Sequence, residues 1–147
     1  MKIVLDTSVF VPTFLDFAEE SKTPRVKIFR ALQNKSHKLV LSNELESQIL
    51  RVVNRVEDKD FAGLFRHVLW SDFSIEYVII EEHQDLRKKW REKVPRKDLD
   101  IFITAIAGNA DALISEDENL VKKARVLSKD LEVMTPQEFV KEHHHPK

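Results

Sequence analysis

Four acidic residues lie where a predicted strand ends or a predicted helix begins. Asp6 directly follows the apolar run Ile3-Val4-Leu5, Glu44 opens a predicted helix, and Asp98 and Asp117 occupy similar places later in the chain. In a parallel sheet, the carboxyl ends of strands and the amino ends of the following helices share one edge, so we expect these carboxylates to lie together. Each also has a simpler interpretation, because a carboxylate at a helix start can serve as a helix cap.

Carboxylates gathered at one edge repel one another and raise one another's pKa. A divalent cation that prefers oxygen ligands removes this repulsion, and Mg²⁺ or Mn²⁺ suits an all-carboxylate site completed by water. Such a cation lowers the pKa of a bound water and stabilises charge at a phosphodiester. The positions of the acids therefore predict phosphodiester hydrolysis by a metal-activated water.

Composition excludes several other kinds of site. The 147-residue chain has no cysteine, which rules out disulfides, thiolate metal ligands and cysteine nucleophiles. Its two glycines, Gly63 and Gly108, are too few and too far apart for a phosphate-binding glycine loop. The formal net charge is -1, so no global positive field indicates a nucleic-acid partner. No signal core or membrane span is apparent, and we expect a cytoplasmic protein without a membrane partner.

Five short apolar segments alternate with helical patterns along the chain. The predicted strands are residues 3–5, 38–41, 73–80, 111–115 and 131–134. Helices are expected to start at Thr23-Pro24, at Asp98 and at Thr135-Pro136, and Thr7 or Ser8 is a candidate cap for the first helix. This alternation predicts an α/β fold, a three-layer α/β/α sandwich around a five-stranded parallel sheet. We expect one domain over residues 1–142 and a disordered tail over 143–147.

The segment from Arg87 to Lys97 is strongly basic, with seven lysines and arginines among eleven residues. It is the local cluster best suited to backbone phosphates, and Arg91, Arg96 and Lys97 are its candidate RNA-binding residues. Trp90 lies within it, and two interpretations stay open: the indole stacks on a base, or it packs against the core.

Four segments in this order resemble the PIN-domain family of nucleases. Residues 3–9 are similar to its first motif, a strand ending in an aspartate, and residues 98–105 to the helix that begins with its third acid. Residues 110–117 resemble the strand leading to its fourth acid, and residues 134–139 its closing strand and helix. The resemblance covers nearly the whole chain and implies a PIN-like fold.

The resemblance implies that Asp6, Asp98 and Asp117 are metal ligands. The family's second acidic position, counted along the helix from Ser42, falls on Gln48, which is not a carboxylate. Glu44 lies one turn earlier on the same face and is the predicted fourth catalytic acid, whereas Glu46 points elsewhere. The predicted outer-shell residues that orient the acids are Ser8, Gln48 and Asn119.

The same resemblance implies a ribonuclease that uses Mg²⁺ or Mn²⁺ to cut single-stranded or structured RNA. Small members of this kind are VapC-like toxins, which implies an antitoxin partner and a homodimer. The glutamine at the second acidic position leaves an alternative, a catalytically weakened PIN-fold module that binds RNA or protein. A receiver domain or an aspartate-nucleophile phosphatase fits less well, because Ser8 and Thr135-Pro136 stand where those classes need an aspartate and a lysine.

Overall fold

A parallel five-stranded sheet with helices on both faces forms the protein, as the alternating pattern predicts. The structure is a computed structural model, and it describes residues 1–20, 22–56, 59–127 and 130–143. The strands are β1 (Lys2–Leu5), β2 (Lys38–Ser42), β3 (Ile75–Val78), β4 (Ala112–Ile114) and β5 (Glu132–Met134). The helices are α1 (Thr7–Ala18), α2 (Val26–Gln33), α3 (Asn43–Val56), α4 (Lys59–Asp72), α5 (Gln84–Trp90), α6 (Arg96–Ala107), α7 (Glu118–Leu127) and α8 (Pro136–His143).

The strand order is β3-β2-β1-β4-β5, and every pair is parallel. The first strand of the chain is therefore the central strand, and Ile3, Val4 and Leu5 are fully buried between β2 and β4. Continuous apolar runs such as these are typical of parallel strands, which are covered on both faces. The order of connection reverses between β1 and β4, and this point is where open α/β sheets bind ligands.

Phenylalanines fill much of the core on the side of α1, α2 and α4. Phe29 is fully buried, and its ring centre lies 5.3 Å from those of both Phe10 and Phe73. Phe65 contacts Phe10 and Phe14 edge to face, with ring centres 5.5 and 4.8 Å apart. The rings of this cluster thus join the helix that follows Asp6 to two helices that are distant in sequence.

Three predicted boundaries were wrong for local reasons. Helix α2 begins at Val26 rather than at Pro24, and the Thr23 hydroxyl donates to Asp16 (3.0 Å) instead of capping it. Strand β3 ends at Val78, because the Ile80 amide donates to the Asn43 side chain (2.9 Å) and the chain turns there. Helix α5 accordingly starts at Gln84, after a 3₁₀ turn over Ile80–Glu82.

Helix α6 ends at a glycine because the sheet leaves no room for a side chain. A Cβ at Gly108 would overlap the Val40 side chain, and Asn109 then adopts a left-handed conformation (φ 50°). Both residues are common at helix ends of this kind. The main-chain oxygen of Gly108 accepts a hydrogen bond from Lys2 (3.1 Å), which ties the helix end to the central strand.

The last helix starts after Thr135, as its sequence predicts, and Thr135 and Glu138 form reciprocal hydrogen bonds there. The Glu138 amide donates to the Thr135 hydroxyl (3.2 Å), and the Thr135 amide donates to the Glu138 carboxylate (3.1 Å). Helix α8 reaches His143, one residue beyond the predicted end of the domain, and the other predicted tail residues, 144–147, lie outside the described residues. In the described part of the chain, no helix combines the length and apolar character needed to cross a bilayer.

This cap gives a prediction about stability. Thr135→Ala should lower the free energy of unfolding by about 1 kcal/mol, because it removes the acceptor for the Glu138 amide.

The hydrogen bond from the Thr135 amide lowers the pKa of Glu138 below its ordinary value of 4.5, so the carboxylate stabilises the fold above that pH. Glu138→Gln should therefore be less stable than the parent in urea titrations at about pH 7. The difference should vanish as the pH falls through the lowered pKa; a difference that grows there would contradict the assignment.

Candidate active site

The edge between β1 and β4 brings together residues that are far apart in sequence. The Asp6 amide donates to the main-chain oxygen of Ile114 (2.9 Å), so Asp6 directly continues the ladder between the two strands. The residues that follow β4, from Ser115 to Asp117, turn across the same edge. Asp6 and Asp117 therefore lie on the two sides of the point where the strand order reverses, as expected from the positions of the acids.

Two serine hydroxyls orient the Asp6 carboxylate. Ser8 (2.9 Å) and Ser115 (2.7 Å) both donate to Oδ2. Each hydroxyl in turn accepts a main-chain amide, from Glu116 at 3.4 Å and from Asp117 at 3.0 Å respectively. Asp6 occupies the cap position of α1, yet its side chain makes no capping hydrogen bond, so the simpler interpretation of Asp6 as a helix cap is wrong.

Ser8 fits the orienting position predicted for it, and neither Thr7 nor Ser8 caps the first helix, because α1 already begins at Thr7. Ser115 is an orienting residue that sequence reasoning missed. It ends an apolar strand pattern, and only its place just before Glu116-Asp117 in the fourth motif indicates a role at this edge. Both donated bonds go to one oxygen of Asp6, and Oδ1 receives none from the described residues.

Asp98 is the most buried of the predicted acids, with 9% of its surface exposed. It is the third residue of α6 and does not cap this helix, which begins two residues earlier than predicted, after Pro95. Burial raises the pKa of Asp98, and the negative charges of Asp117 and Asp6 raise it further, while the charge of Lys97 lowers it. The three aspartates therefore interact electrostatically at one edge.

Asp117 caps α7, so the simpler interpretation of this residue as a helix cap is confirmed. Its Oδ1 accepts the amides of Asn119 (3.0 Å) and Leu120 (3.3 Å), and its Oδ2 lies 3.8 Å from the Lys97 ammonium. Asn119 contacts Asp117 through its main-chain amide, and the Asn119 side chain is exposed. Lys97, predicted to contact RNA, is thus also the nearest cation to Asp117.

Glu44 and Glu46, the two acids in the first turn of α3, lie in different surroundings. Glu44 is half-buried in the first turn, and Gln48 is half-buried one turn later. Glu46 instead accepts hydrogen bonds from the Trp70 indole (3.1 Å) and the Tyr77 hydroxyl (2.9 Å) beyond this helix. These partners agree with the expectation that Glu46 points away from the other acids.

The surroundings of Glu46 also change the acidity of a neighbouring phenol. Burial raises the pKa of Tyr77 to about 12, aided by the hydrogen bond to Glu46 and by the negative charge of that residue. The contact between Tyr77 and Glu46 joins α3 to the edge strand β3.

The basic segment contributes fewer free cations than its sequence indicates. Arg87 forms an ion pair with Asp100 (2.7 Å), and the Trp90 ring packs edge to face on Phe102 (centres 4.9 Å apart). Of the two interpretations of Trp90, packing against the core is therefore confirmed. Arg91 and Arg96 are exposed, so they remain available for a polyanion.

Buried hydroxyls connect this edge to α3 and α6. Ser42 caps α3, as predicted, by accepting the Leu45 amide (3.1 Å), and it lies 2.7 Å from the Thr104 hydroxyl. On the other flank, Arg25 pairs with Asp16 (2.7 Å) and lies 3.7 Å from Glu116. Sequence reasoning missed both connections, since they join residues that are far apart in the chain.

The oxygen atoms of the three aspartates suit a hard divalent cation, although the carboxylates are not arranged around a single ion position. Asp6, Asp98 and Asp117 supply only carboxylate oxygens, and their mutual repulsion at a partly buried edge is relieved by added positive charge. Within the described ranges, no three side chains of Asp, Glu or His approach closely enough to hold one ion together. By chemistry and charge these residues fit the metal, and binding it with all three requires the carboxylates to draw together.

Comparison with known proteins agrees with this fold. The family model of the PIN domain matches residues 3–126. A chain in the crystal structure of VapBC2 from Rickettsia felis, bound to a DNA fragment from its promoter, superposes with a TM-score of 0.60. The two sequences are 17% identical, and the match covers 92% of this chain and 98% of that one.

A chain in the structure of VapBC-1 from nontypeable Haemophilus influenzae gives a TM-score of 0.57 at 18% identity, over 93% of this chain and 99% of that one. None of the curated proteins compared with this sequence matches it. At these identities the two structures establish a shared fold, and the family model covers most of the chain. The protein therefore belongs to the PIN domain family, whose members are nucleases that generally use divalent metal ions.

Proposed function

We propose that this protein is an endoribonuclease that depends on Mg²⁺ or Mn²⁺. The observation that supports the proposal is that Asp6 and Asp117 flank the edge where the strand order reverses and that Asp98 interacts electrostatically with both. When bound there, a divalent cation makes a water more acidic and neutralises charge on the phosphodiester. Hydrolysis joins a water oxygen to phosphorus and breaks one phosphorus–oxygen bond of the RNA backbone.

The residues of the chain have separate parts in this proposal. Asp6, Asp98 and Asp117 hold the cation. Ser8 and Ser115 donate to Oδ2 of Asp6, which leaves Oδ1 of the same carboxylate to face the cation. Hydrogen-bond donors that hold a ligating carboxylate preserve the ligand geometry at many metal sites. Glu44 completes the set of acids from α3, with Gln48 as its neutral neighbour.

Positive charge beside the acids positions the substrate. Lys97 lies at the site itself, and Arg91 and Arg96 are exposed on the segment that leads into α6. These cations contact backbone phosphates, which do not depend on base identity. We further propose that the protein is the toxin of a toxin–antitoxin pair, acts in the cytoplasm and forms a homodimer; the fold it shares with VapBC chains supports this proposal.

The test is a cleavage assay on mixed single-stranded RNA with Mn²⁺, with Mg²⁺ and with a chelator. Asp6→Asn should lower the rate by about 10²-fold or more, because it removes a charged ligand while its amide oxygen still accepts the two serine hydroxyls. Asp60→Asn, a change of the same chemistry at an exposed position on α4, is the matched control and should cleave normally. An Asp6→Asn variant as active as the parent would contradict the site.

The weakened binding module remains the second candidate, favoured by Gln48 and by the separation of the carboxylates. Calorimetric titration with Mn²⁺ separates the two functions, since a degenerate site shows no binding at millimolar metal. Two variants on α3 refine the result. Glu44→Gln should weaken metal binding if Glu44 is a ligand. Gln48→Glu should strengthen metal binding if the second acidic position lacks nothing but the carboxylate charge.

A further inference from the structure

An open surface groove of about 630 Å³ lies between the segment that leads into α6 and the surface of α7. We call it the lysine pocket and define it by Val94, Pro95, Val126, Lys93, Lys122 and Lys123. Its volume is within the range of small-ligand sites in proteins. Val126 is 79% exposed, which is unusual for an aliphatic side chain on a helix of a folded domain.

The lysine pocket adjoins the candidate active site along both of its walls. One wall, at Val94 and Pro95, immediately precedes α6, which carries Asp98 in its first turn. The other wall is α7, which Asp117 caps. At 1.5 Å per helical residue, the stretch from Lys122 to Val126 lies roughly 7 to 14 Å along α7 from Asp117. A chain of nucleotides that crosses the acids can therefore reach the pocket within a few residues.

Charge in the lysine pocket favours a polyanion. In the part of the chain that the structure describes, neither Lys93, Lys122 nor Lys123 forms an ion pair with a carboxylate. Lys93 lines the pocket, and its ammonium group lies 5.3 Å from the centre of the neighbouring Trp90 ring. Glu92 is the one acid in the lining, so the pocket is positive overall.

The floor of the lysine pocket is apolar and so complements the face of a base. Val94, Pro95 and Val126 offer no side-chain hydrogen-bonding groups, so they can contact a base only through its apolar face, which every base has. Phosphates alone would be bound as well by lysines on an open surface. The combination of an exposed apolar floor and a rim of lysines fits a unit that has both a flat apolar ring and a negative charge.

We infer that the lysine pocket is a nucleotide subsite. It binds a base of single-stranded RNA beside the scissile phosphate, and its lysines contact the adjoining backbone phosphates. The inference rests on the proposed function, because it takes RNA as the substrate.

Binding measurements without cleavage test this inference. The probes are a short fluorescein-labelled RNA of mixed sequence and a ribose-phosphate strand of equal length that lacks bases, both followed by anisotropy in a chelator. Val126→Ser should weaken binding of the RNA by about fivefold and leave the strand without bases unchanged. Lys122→Gln with Lys123→Gln should weaken both probes, because the lost contacts are to phosphates. Leu64→Ser, at an exposed apolar position on α4, is the control and should change neither.

Wild-type affinity of a folded Val126→Ser variant for the base-bearing RNA would overturn the inference. Absence of binding by the parent would overturn it too, and would direct attention to a protein partner or a second copy of this chain. These results are independent of the cleavage assay. Base-dependent binding without metal-dependent cleavage would keep the subsite and reject the nuclease, whereas cleavage with unchanged Val126→Ser binding would do the reverse.

Discussion

Asp98→Asn should abolish RNA cleavage and, without metal, should melt at a higher temperature than the parent. The Asp98 carboxylate is buried and is repelled by the charges of Asp6 and Asp117, so it is a strong candidate ligand and also a destabilising charge without metal. Loss of one charged ligand removes several kcal/mol of transition-state stabilisation, which corresponds to a rate decrease on the order of 10³-fold. Asparagine has nearly the same shape but no charge, so the fold loses the repulsion.

The sign of the pH dependence follows from the raised pKa. Because the folded state holds the Asp98 proton more tightly than the unfolded chain does, the parent loses stability as the pH rises from the ordinary value of 3.8 through the raised pKa. The stability advantage of Asp98→Asn should therefore be present at neutral pH and absent in acid.

Thermal melts in chelator and in Mn²⁺, beside the cleavage assay, measure both effects. Added Mn²⁺ should raise the melting temperature of the parent by mass action and that of Asp98→Asn far less. The Asp60→Asn control should follow the parent in every condition. A variant that cleaves normally, or that gains as much stability from Mn²⁺ as the parent does, would remove Asp98 from the metal site.

Phe29→Ala should lower the free energy of unfolding by about 3–5 kcal/mol, a large part of the total stability of a domain this size. The ring is fully buried and contacts phenylalanines of α1 as well as Phe73, which precedes β3. The surrounding rings cannot all move into the space, so a cavity remains in addition to the lost burial. Denaturant titration at neutral pH measures the change.

Phe17→Ala is the matched comparison, because Phe17 is half-buried at the margin of the same cluster (5.8 Å from Phe29). Its effect should be clearly smaller. If Phe29→Ala lowers the free energy of unfolding by less than about 1 kcal/mol, the phenylalanine cluster is loosely packed. Since Phe10 lies one turn after Asp6, we also expect Phe29→Ala to weaken metal binding before the protein unfolds.

The fold was predictable because its signals are local. Each strand is a short apolar run, Asp6 and Asp117 stand close after such runs, and the alternation of strands with helices predicts a parallel sheet without any knowledge of contacts. The position of Asp6 beside the loop that carries Asp117 also depends on β1 and β4 being neighbours, which the pairing of the strands shows. The cap of the last helix at Thr135 was predictable because its signal is local.

The details of the site depend on contacts between distant residues, which no local pattern contains. Ser115 reaches Asp6 across most of the chain, and Trp70 with Tyr77 determines where Glu46 points. The start of α6 was misplaced because aspartate is a favoured cap, whereas here burial of Asp98 inside the first turn prevails over that local preference. The ion pair of Arg87 with Asp100 was likewise not predictable from the run of basic residues, because Asp100 lies outside that run.

The central position of β1 has a consequence for synthesis of the protein on the ribosome. The first strand to emerge has a partner on one side once β2 follows, but its other side stays unpaired until β4 is made. Asp98 and Asp117 also emerge late, and they meet Asp6 only when this second pairing forms. A nascent chain therefore lacks this juxtaposition of acids for most of its translation, so the cleavage proposed for this protein should begin only when synthesis is nearly complete.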